Sequence, residues 1–211
     1  MIVHADDAIV VADKPAGLLA VPGRGADKAD CLWTRVRERY PDALVVHRLD
    51  QATSGLVLFA RGEAAQRTLS RAFAARDVGK TYVAVVAGAV AADTGAIDLP
   101  LAADWPNRPR QIVDRERGKP SLTRWRVLAR GRHGLAPGLR TTRLALEPVT
   151  GRSHQLRVHL TAIGHPIVGD ALYAPPQVAA AAPRLLLHAA RLAFAHPAGG
   201  GPCAFESPPP F

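Results

Sequence analysis

Cysteine is scarce in this sequence. Cys31 and Cys203 are the only two, they lie far apart, and neither belongs to a CxxC pair. A zinc site built on cysteine or a disulfide framework is therefore not expected to organise the fold. Two isolated cysteines are typical of a protein kept in a reducing compartment, where they act as ordinary core or surface thiols.

Long apolar runs and a targeting segment are also missing. No run approaches the roughly 18 residues that a membrane-spanning helix requires. The first ten residues contain Asp6 and Asp7 but no lysine or arginine, which is unlike a secretory signal. We therefore expect a cytoplasmic protein without membrane association. Of the 211 residues, 48% are hydrophobic, which is enough for a sizeable core.

Acidic residues are in deficit. The chain has 27 basic and 18 acidic residues, a formal net charge of +9, which suits a polyanionic partner because phosphate contacts release counterions. Nearly all of the positive charge is arginine, which binds phosphate through two hydrogen bonds and stacks on bases. Arginine can also be frequent through coding bias alone, so charge favours nucleic acid without establishing it.

Hydrophobic periodicity predicts a mixture of strands and helices. A continuous apolar run at 55–61 indicates a buried central strand. Helical spacing occurs at 31–40, at 63–77 and at 153–164, where we expect Leu156, Leu160 and Ile163 to face the core and Gly164 to end the helix. Further strands are predicted at 80–88, at 141–149, within 184–197, and as a pair around a Lys-Pro turn in 8–23, whereas 205–211 should be an exposed tail. This pattern predicts an α+β fold around a large, mainly antiparallel sheet with flanking helices and loops.

The most specific segment is VVHRLDQATSGLVLFAR, at 45–61. It places Asp50 in a polar loop directly before the buried strand, which is a suitable position for a catalytic carboxylate. The alternative is an Asx turn in which the Asp50 side chain bonds the backbone near Thr53. The residues alone leave both interpretations open.

A second polar segment, VTGRSHQLRVHLTAIGHPIVGDALY, covers 149–173. Arg157 adjoins an apolar position, so its stem should be partly buried and its guanidinium should need an anionic partner. Asp50 is a candidate for that partner, and a purely structural ion pair is the alternative. His154, His159 and His165 do not have the i, i+4 spacing of helical metal ligands, so no metal is expected.

Together these motifs resemble the RluA family of pseudouridine synthases. The resemblance rests on HRLDxxTSG, then KxY, then GRxHQLRVH and GHPIxGDxxY, and it extends from DKPAGLLAVPG to LHAARLAFAHP. The segments LPLAADWPNRPRQIV and GKPSLTRWRV are similar to the RluA subgroup, whose members modify a hairpin of large-subunit ribosomal RNA and the anticodon stem-loop of transfer RNA. The resemblance implies a single pseudouridine synthase catalytic domain over 1–211, without the separate N-terminal RNA-binding domain of many relatives.

The resemblance also implies roles for individual residues. Asp50 matches the essential aspartate, Arg157 the arginine that pairs with it, Tyr82 the tyrosine that packs on the flipped uracil, and Arg48 the arginine that enters the RNA helix. From pattern alone, Tyr82 could be an ordinary strand residue. Further residues should shape the loop or contribute to substrate binding, namely His47, Thr53, Ser54, Gly55, Arg152, His154, Gln155, Arg108 and Arg110.

The predicted function is isomerisation of specific uridines in stem-loops of large-subunit ribosomal RNA, of the transfer RNA anticodon arm, or of both. We expect base flipping, no cofactor, a monomeric enzyme, and RNA rather than DNA as the partner. The alternative is a catalytically silent RNA-binding module or a ribosome assembly factor. A pure binder has no need of a carboxylate beside phosphate, so Asp50 favours the enzyme. A metal-dependent hydrolase is disfavoured by the histidine spacing.

Overall fold

A computed structural model describes residues 1–23, 29–131 and 138–211. The chain divides into two compact units. The first unit comprises Met1–Lys80 and His188–Pro210, and the second comprises Thr81–Leu187 together with Phe211. The single catalytic domain expected from the sequence stays a prediction.

The first unit is a sheet with two helices. Its central order is β1-β2-β4-β11, with β3 added to β4 and β12 added to β11. All these pairs are antiparallel except β4 and β11, which run parallel. The strands are β1 (Ile2–Ala5), β2 (Ile9–Lys14), β3 (Ala43–Val45), β4 (Ser54–Arg61), β11 (Leu187–Ala195) and β12 (Pro202–Glu206), and the helices are α1 (Leu32–Arg37) and α2 (Gly62–Ala75).

The second unit contains an antiparallel sheet of order β5-β10-β9-β6 and a separate hairpin of β7 and β8. The strands are β5 (Gly79–Ala87), β6 (Thr94–Asp98), β7 (Leu101–Ala103), β8 (Gln111–Val113), β9 (Leu122–Gly131) and β10 (Thr141–Pro148), and the helices are α3 (Gln155–Ala162) and α4 (Pro176–Ala179). The predicted class, a mixed α+β fold with a mainly antiparallel sheet, is confirmed.

The core of the first unit forms around β4, as its continuous apolar run predicts. Every residue from Ser54 to Ala60 is buried, which is typical of a strand covered on both faces. Helix α2 packs against it through buried Leu69 and partly buried Phe73, and this confirms the amphipathic helix predicted at 63–77. The site loop that precedes β4 is therefore attached directly to the buried core of this unit.

Helix α3 is shorter than predicted at its C-terminal end. Leu156 and Leu160 are buried as expected, but Ile163 is 37% exposed, so its predicted inward position is wrong. The reason is that Ile163 is the C-cap, where the chain already turns away from the helix axis. Gly164 follows with φ +81°, which is the left-handed conformation expected of a helix stop.

Two predictions at the chain ends need correction. Of the two strands expected around the Lys-Pro turn, only β2 forms, and Leu19 makes a single bridge with Cys31 instead. The tail is not simply exposed, because its first residues belong to β12 and Ser207 is buried. Within the described part of the chain, no helix is long and apolar enough to cross a membrane.

Candidate active site

The Asp50 loop connects β3 to β4 in the first unit. The backbone carbonyl of Asp50 accepts a hydrogen bond of 3.1 Å from the Thr53 N–H, so main-chain atoms close this turn. Leu49 is buried and anchors the loop, whereas Arg48 is exposed and Asp50 is half-buried. The loop thus presents an arginine and a carboxylate on a fixed backbone.

Lys14 fixes the far side of this turn, a role that the sequence did not reveal. Its side chain is fully buried, and its ammonium donates to the carbonyls of Pro15, Leu18 and Gln51 at 2.9, 2.7 and 3.0 Å. Gly17 N–H also donates to the Gln51 carbonyl at 2.9 Å, and the Gln51 side-chain amide donates back to Gly17. Because Gln51 follows Asp50, these bonds restrict the backbone beside the carboxylate.

His47 supports the loop from the strand side. The backbone N–H of Leu58 donates to its Nε2 at 2.9 Å, and its ring stacks on Phe73 with centroids 4.6 Å apart. Burial, and secondarily the charge of Lys80, lowers the pKa of His47 to about 3. His47 is therefore neutral at physiological pH and acts as an acceptor that ties the loop to β4.

The Thr53–Gly55 segment is buried and lies where the Asp50 loop enters β4. Ser54 shares a hydrogen bond of 2.8 Å with Nδ1 of His188, and both residues are buried. A Cβ on Gly55 would lie 2.4 Å from the Ala189 carbonyl oxygen, so only glycine allows β4 and β11 to approach this closely. Since Thr53 and Ser54 are buried, their expected contribution to substrate binding is indirect.

Tyr82 lies on β5 in the second unit, directly opposite Leu146 of β10. Leu146 in turn faces Trp125 of β9, whose ring lies across Gly95 of β6. Tyr82 is half-buried, so part of its side chain is accessible. An aromatic residue anchored in a row of cross-strand contacts provides a firm flat surface.

Arg157 is almost completely buried on α3, with 4% of its surface exposed. Its Nε and Nη2 donate to the two carboxylate oxygens of Asp170 at 2.8 and 2.7 Å. Asp170 is 1% exposed and also accepts the N–H groups of Leu172 and Tyr173 at 2.9 and 3.2 Å. The predicted burial of the Arg157 stem is confirmed and extends to its guanidinium; its observed partner is Asp170, a motif residue to which the sequence analysis assigned no role.

Three neighbours of Arg157 differ in accessibility. Gln155 is buried: its side chain accepts from Thr150 and donates to the Leu122 carbonyl, at 2.7 and 3.0 Å. His154 has φ +53° and shares a hydrogen bond of 2.6 Å with the Tyr173 hydroxyl. Arg152 is exposed. Gln155 therefore acts inside the fold, whereas Arg152 is accessible to a ligand.

Arg108 and Arg110 lie on the loop between β7 and β8. The Arg108 guanidinium stacks over Trp105 at 3.4 Å from the ring centroid, and Trp105 is 69% exposed. Arg110 lies over the ring of Tyr173 at 5.4 Å. The loop thus presents arginine and a large aromatic surface to solvent.

His159, the middle histidine of 154–165, has a structural role. His159 is buried, its Nε2 bonds the Leu99 carbonyl and its Nδ1 bonds the Thr123 hydroxyl, both at 2.9 Å. Burial lowers the pKa of His159, although the Leu99 hydrogen bond and the charge of Asp98 oppose this. In residues 1–23, 29–131 and 138–211, no group of three His, Cys, Asp or Glu side chains could hold a metal ion.

The predicted site residues are divided between the units. The first unit positions Arg48 and Asp50 with their supports, and the second contains Tyr82, Arg157 and the remaining candidates. Within the second unit, Tyr173 brings His154, Arg110 and Arg157 together. The pairing of Asp50 with Arg157 stays a prediction.

Comparison with known proteins identifies the family. The sequence profile described as RNA pseudouridylate synthase matches residues 8–162. The chain is 51% identical over 210 residues to the dual-specificity RNA pseudouridine synthase RluA of Pasteurella multocida, covering 100% of this chain and 93% of that protein. It is 49% identical over 211 residues to the protein of the same name from Escherichia coli, covering 100% and 94%.

A solved structure agrees with this assignment. Human RNA Pseudouridylate Synthase Domain Containing 1 superposes with a TM-score of 0.82 at 30% identity, covering 100% of this chain and 83% of that chain. The profile covers most of the chain, and relatives that match it from end to end share about half of its residues. The chain therefore belongs to the RNA pseudouridylate synthase family and is an RNA pseudouridine synthase.

Proposed function

We propose that this enzyme isomerises uridine to pseudouridine in two kinds of stem-loop, one in the transfer RNA anticodon arm and one in large-subunit ribosomal RNA. The observation that carries the proposal is identity of about 50% along the whole chain to enzymes named as dual-specificity RNA pseudouridine synthases. The formal charge of +9 supports an RNA partner. These substrates imply a cytoplasmic location, and we expect a monomer because one chain carries every residue proposed for catalysis.

The reaction conserves atoms and electrons. The glycosidic bond between N1 of uracil and C1′ of ribose breaks, and C1′ then bonds to C5 of the same base. The C5 hydrogen leaves as a proton while N1 gains one, so no redox partner or energy donor is consumed. The protein must therefore supply positioning and a basic or nucleophilic group.

Asp50 is the proposed catalytic carboxylate. Its loop is fixed on one side by Lys14 and on the other by the bond from Leu58 to His47, which gives the carboxylate a defined position. The carboxylate could add to the sugar carbon, add to the uracil ring or remove a sugar proton, and each route requires it to be ionised. Arg157 is the proposed partner that keeps it ionised, and Asp170 orients that arginine.

Base flipping is the proposed role of Arg48 and Tyr82. A stacked uridine is inaccessible, and its extrusion costs a few kcal/mol. Arg48 is exposed beside Asp50, so it can fill the gap in the RNA helix and bind phosphate. Tyr82 offers an anchored aromatic ring against which the extruded uracil can pack.

The exposed arginines Arg108, Arg110 and Arg152 are the proposed contacts to the RNA backbone. Arg108 and Trp105 form a stacked pair on the β7–β8 loop, which suits an unpaired base as well as phosphate. RNA stem-loops offer both phosphates, along the backbone of the stem, and unpaired bases, in the loop. This surface therefore favours a stem-loop.

The test uses purified protein and transcripts of an anticodon stem-loop and of a large-subunit hairpin. Pseudouridine is mapped by carbodiimide labelling and primer extension. We expect a specific loop uridine to be modified in each RNA, and no modification with Asp50→Asn as the matched control. If both isolated stem-loops stay unmodified and only an assembled ribosomal particle reacts, the proposed substrates are wrong.

A further inference from the structure

The side chain of Tyr173 lies at the centre of a set of contacts within the second unit. Its hydroxyl accepts a hydrogen bond of 2.8 Å from the backbone N–H of Gln111, the first residue of β8. The same hydroxyl shares a bond of 2.6 Å with Nδ1 of His154, immediately before α3. One oxygen atom therefore joins the end of the β7–β8 loop to the start of the helix that carries Arg157.

The aromatic ring of Tyr173 contacts two arginine side chains. The Arg157 guanidinium lies 5.0 Å from its centroid and the Arg110 guanidinium lies 5.4 Å from it. Two cations on one ring would repel each other, and the negative faces of the aromatic ring offset that repulsion. The ring thus fixes an arginine of the exposed loop and the buried arginine of α3 relative to each other.

The backbone of Tyr173 completes the arrangement. Its N–H donates to Asp170 at 3.2 Å, and Asp170 forms the two-bond ion pair with Arg157. A displacement of Tyr173 would therefore disturb β8, α3 and the partner of Arg157 together.

We propose that Tyr173 is a positioning residue that couples the RNA-contacting loop between β7 and β8 to Arg157. RNA phosphates that bind the loop arginines would then stabilise the Tyr173 position in which Arg157 is correctly oriented. This inference rests on the proposed function, because it requires that the loop contacts the RNA substrate.

The hydroxyl and the ring have separable roles, which two variants distinguish. Tyr173→Phe removes both hydroxyl bonds but keeps the ring on Arg157. We expect KM for the anticodon stem-loop to rise about tenfold, because the loss of one or two hydrogen bonds weakens binding by about this factor. The change in kcat should be less than about threefold. Tyr173→Leu also removes the ring, so kcat should fall by at least about tenfold in addition. A merely structural role would lower the melting temperature without separating KM from kcat.

His154→Asn tests the same bond from the other side. Asparagine tolerates the left-handed backbone at 154, where φ is +53°, but is too short to replace the imidazole. It should reproduce the rise in KM of Tyr173→Phe. This second variant keeps the inference testable if either Tyr173 variant fails to fold.

A double-mutant cycle with Arg110→Ala tests the coupling itself. Arg110→Ala should raise KM about tenfold in the wild-type background, but less than about threefold in the Tyr173→Phe background, because the loop is already loosened there. Arg152→Ala is the control, because the Arg152 guanidinium bonds the Pro120 carbonyl, whereas Arg110 lies over the Tyr173 ring. The effect of Arg152→Ala on KM should therefore be the same in the wild-type and Tyr173→Phe backgrounds.

An unchanged KM in Tyr173→Phe would overturn the inference while leaving the proposed function intact. The same holds if Arg110→Ala raises KM by the same factor in the wild-type and Tyr173→Phe backgrounds. A wild-type enzyme that modifies neither stem-loop would overturn the proposed function, and the inference with it.

Discussion

Three charged side chains are buried in the part of the chain that the structure describes: Lys14 in the first unit, and Arg157 and Asp170 in the second. Burial of an unpaired charge is costly, so each must be compensated. Lys14 donates to three carbonyls, whereas Arg157 donates to Asp170 through its Nε and Nη2. Asp50 differs from these residues, because it is only half-buried and part of it is accessible to a ligand. Lys14 holds the backbone beside Asp50, and the Asp50 carboxylate is the group proposed to react.

The Arg157–Asp170 pair gives the first prediction. Arg157→Ala should be almost inactive and should lose about 3–5 kcal/mol of unfolding free energy, because it leaves the Asp170 carboxylate buried and unpaired. Denaturant unfolding and turnover on the stem-loop measure the two effects. The double variant Arg157→Ala/Asp170→Ala removes both charges, so it should regain part of the stability but none of the activity. An Arg157→Ala protein with normal turnover would exclude Arg157 from the mechanism.

His47 gives a prediction about pH. Its pKa is about 3 in the folded protein, against about 6.5 in an unfolded chain. Between these values the unfolded chain binds one more proton, so the free energy of unfolding falls as the pH is lowered from 6.5 towards 3, by at most about 1.4 kcal/mol per pH unit. Above pH of about 6.5 the effect vanishes.

Urea unfolding across this range tests the His47 effect. His47→Gln retains a hydrogen-bond acceptor but cannot titrate, so its stability should fall less steeply with decreasing pH. His159, whose pKa is also lowered by burial, is present in both proteins and cancels in the comparison. Parallel pH dependences would show that His47 is not kept neutral by the fold.

The strands and helices that position the site were predictable where a long pattern defines them. The apolar run of β4 and the amphipathic α2 were correctly predicted, whereas α3 was predicted to start two residues too early. Ile163 was misplaced because periodicity does not indicate where a helix ends. β12 was missed because the prolines that follow it suggested an irregular tail.

The residues that support the site were harder to predict, for physical reasons. Lys14 belongs to a residue type that is rarely buried, and its importance depends on a carbonyl 37 residues away. Asp170 and Tyr173 act through side chains of other segments, and no local pattern encodes those contacts. The motif residues themselves were found by family resemblance, and the roles proposed for them stay predictions.

The close approach of β4 and β11 gives a prediction for Gly55. Alanine there would need φ near +113° and would place its Cβ against the Ala189 carbonyl, so we expect a loss of about 3–5 kcal/mol from strain and overpacking together. Gly62→Ala is the matched control, because its φ is +75° but nothing lies within 4 Å. Gly62→Ala should therefore cost only about 1–2 kcal/mol. Equal losses of stability in the two variants would show that strand packing does not restrict residue 55.

The molecule as a whole carries an excess of arginine, and its affinity for RNA should depend steeply on salt. Contacts from Arg48, Arg108, Arg110 and Arg152 to four phosphates predict a slope of log affinity against log salt of about −3 to −4. Raising the salt fourfold should then weaken binding of the stem-loop about 60- to 250-fold.

Single variants separate contact arginines from structural ones. Arg108→Ala should reduce the salt slope by about one. Arg130→Ala should leave the slope unchanged, because its guanidinium already bonds the Val90 carbonyl and the Asp93 carboxylate. Filter binding at several salt concentrations measures both. If Arg130→Ala alters the slope and Arg108→Ala does not, the RNA lies on a different surface.

The role of Asp50 is tested most directly by tritium release from an anticodon stem-loop labelled at C5 of uridine, since the C5 hydrogen must leave when C5 bonds to C1′. Asp50→Asn keeps the size of the side chain but removes its basic oxygen. Asp42→Asn is the control, because Asp42 is an exposed carboxylate of the same unit that pairs with Arg61. We predict that Asp50→Asn lowers single-turnover release by at least about 10³-fold, with RNA affinity within about threefold of wild type, while Asp42→Asn releases tritium at the wild-type rate. Release by Asp50→Asn within about tenfold of wild type would contradict a catalytic role for this carboxylate.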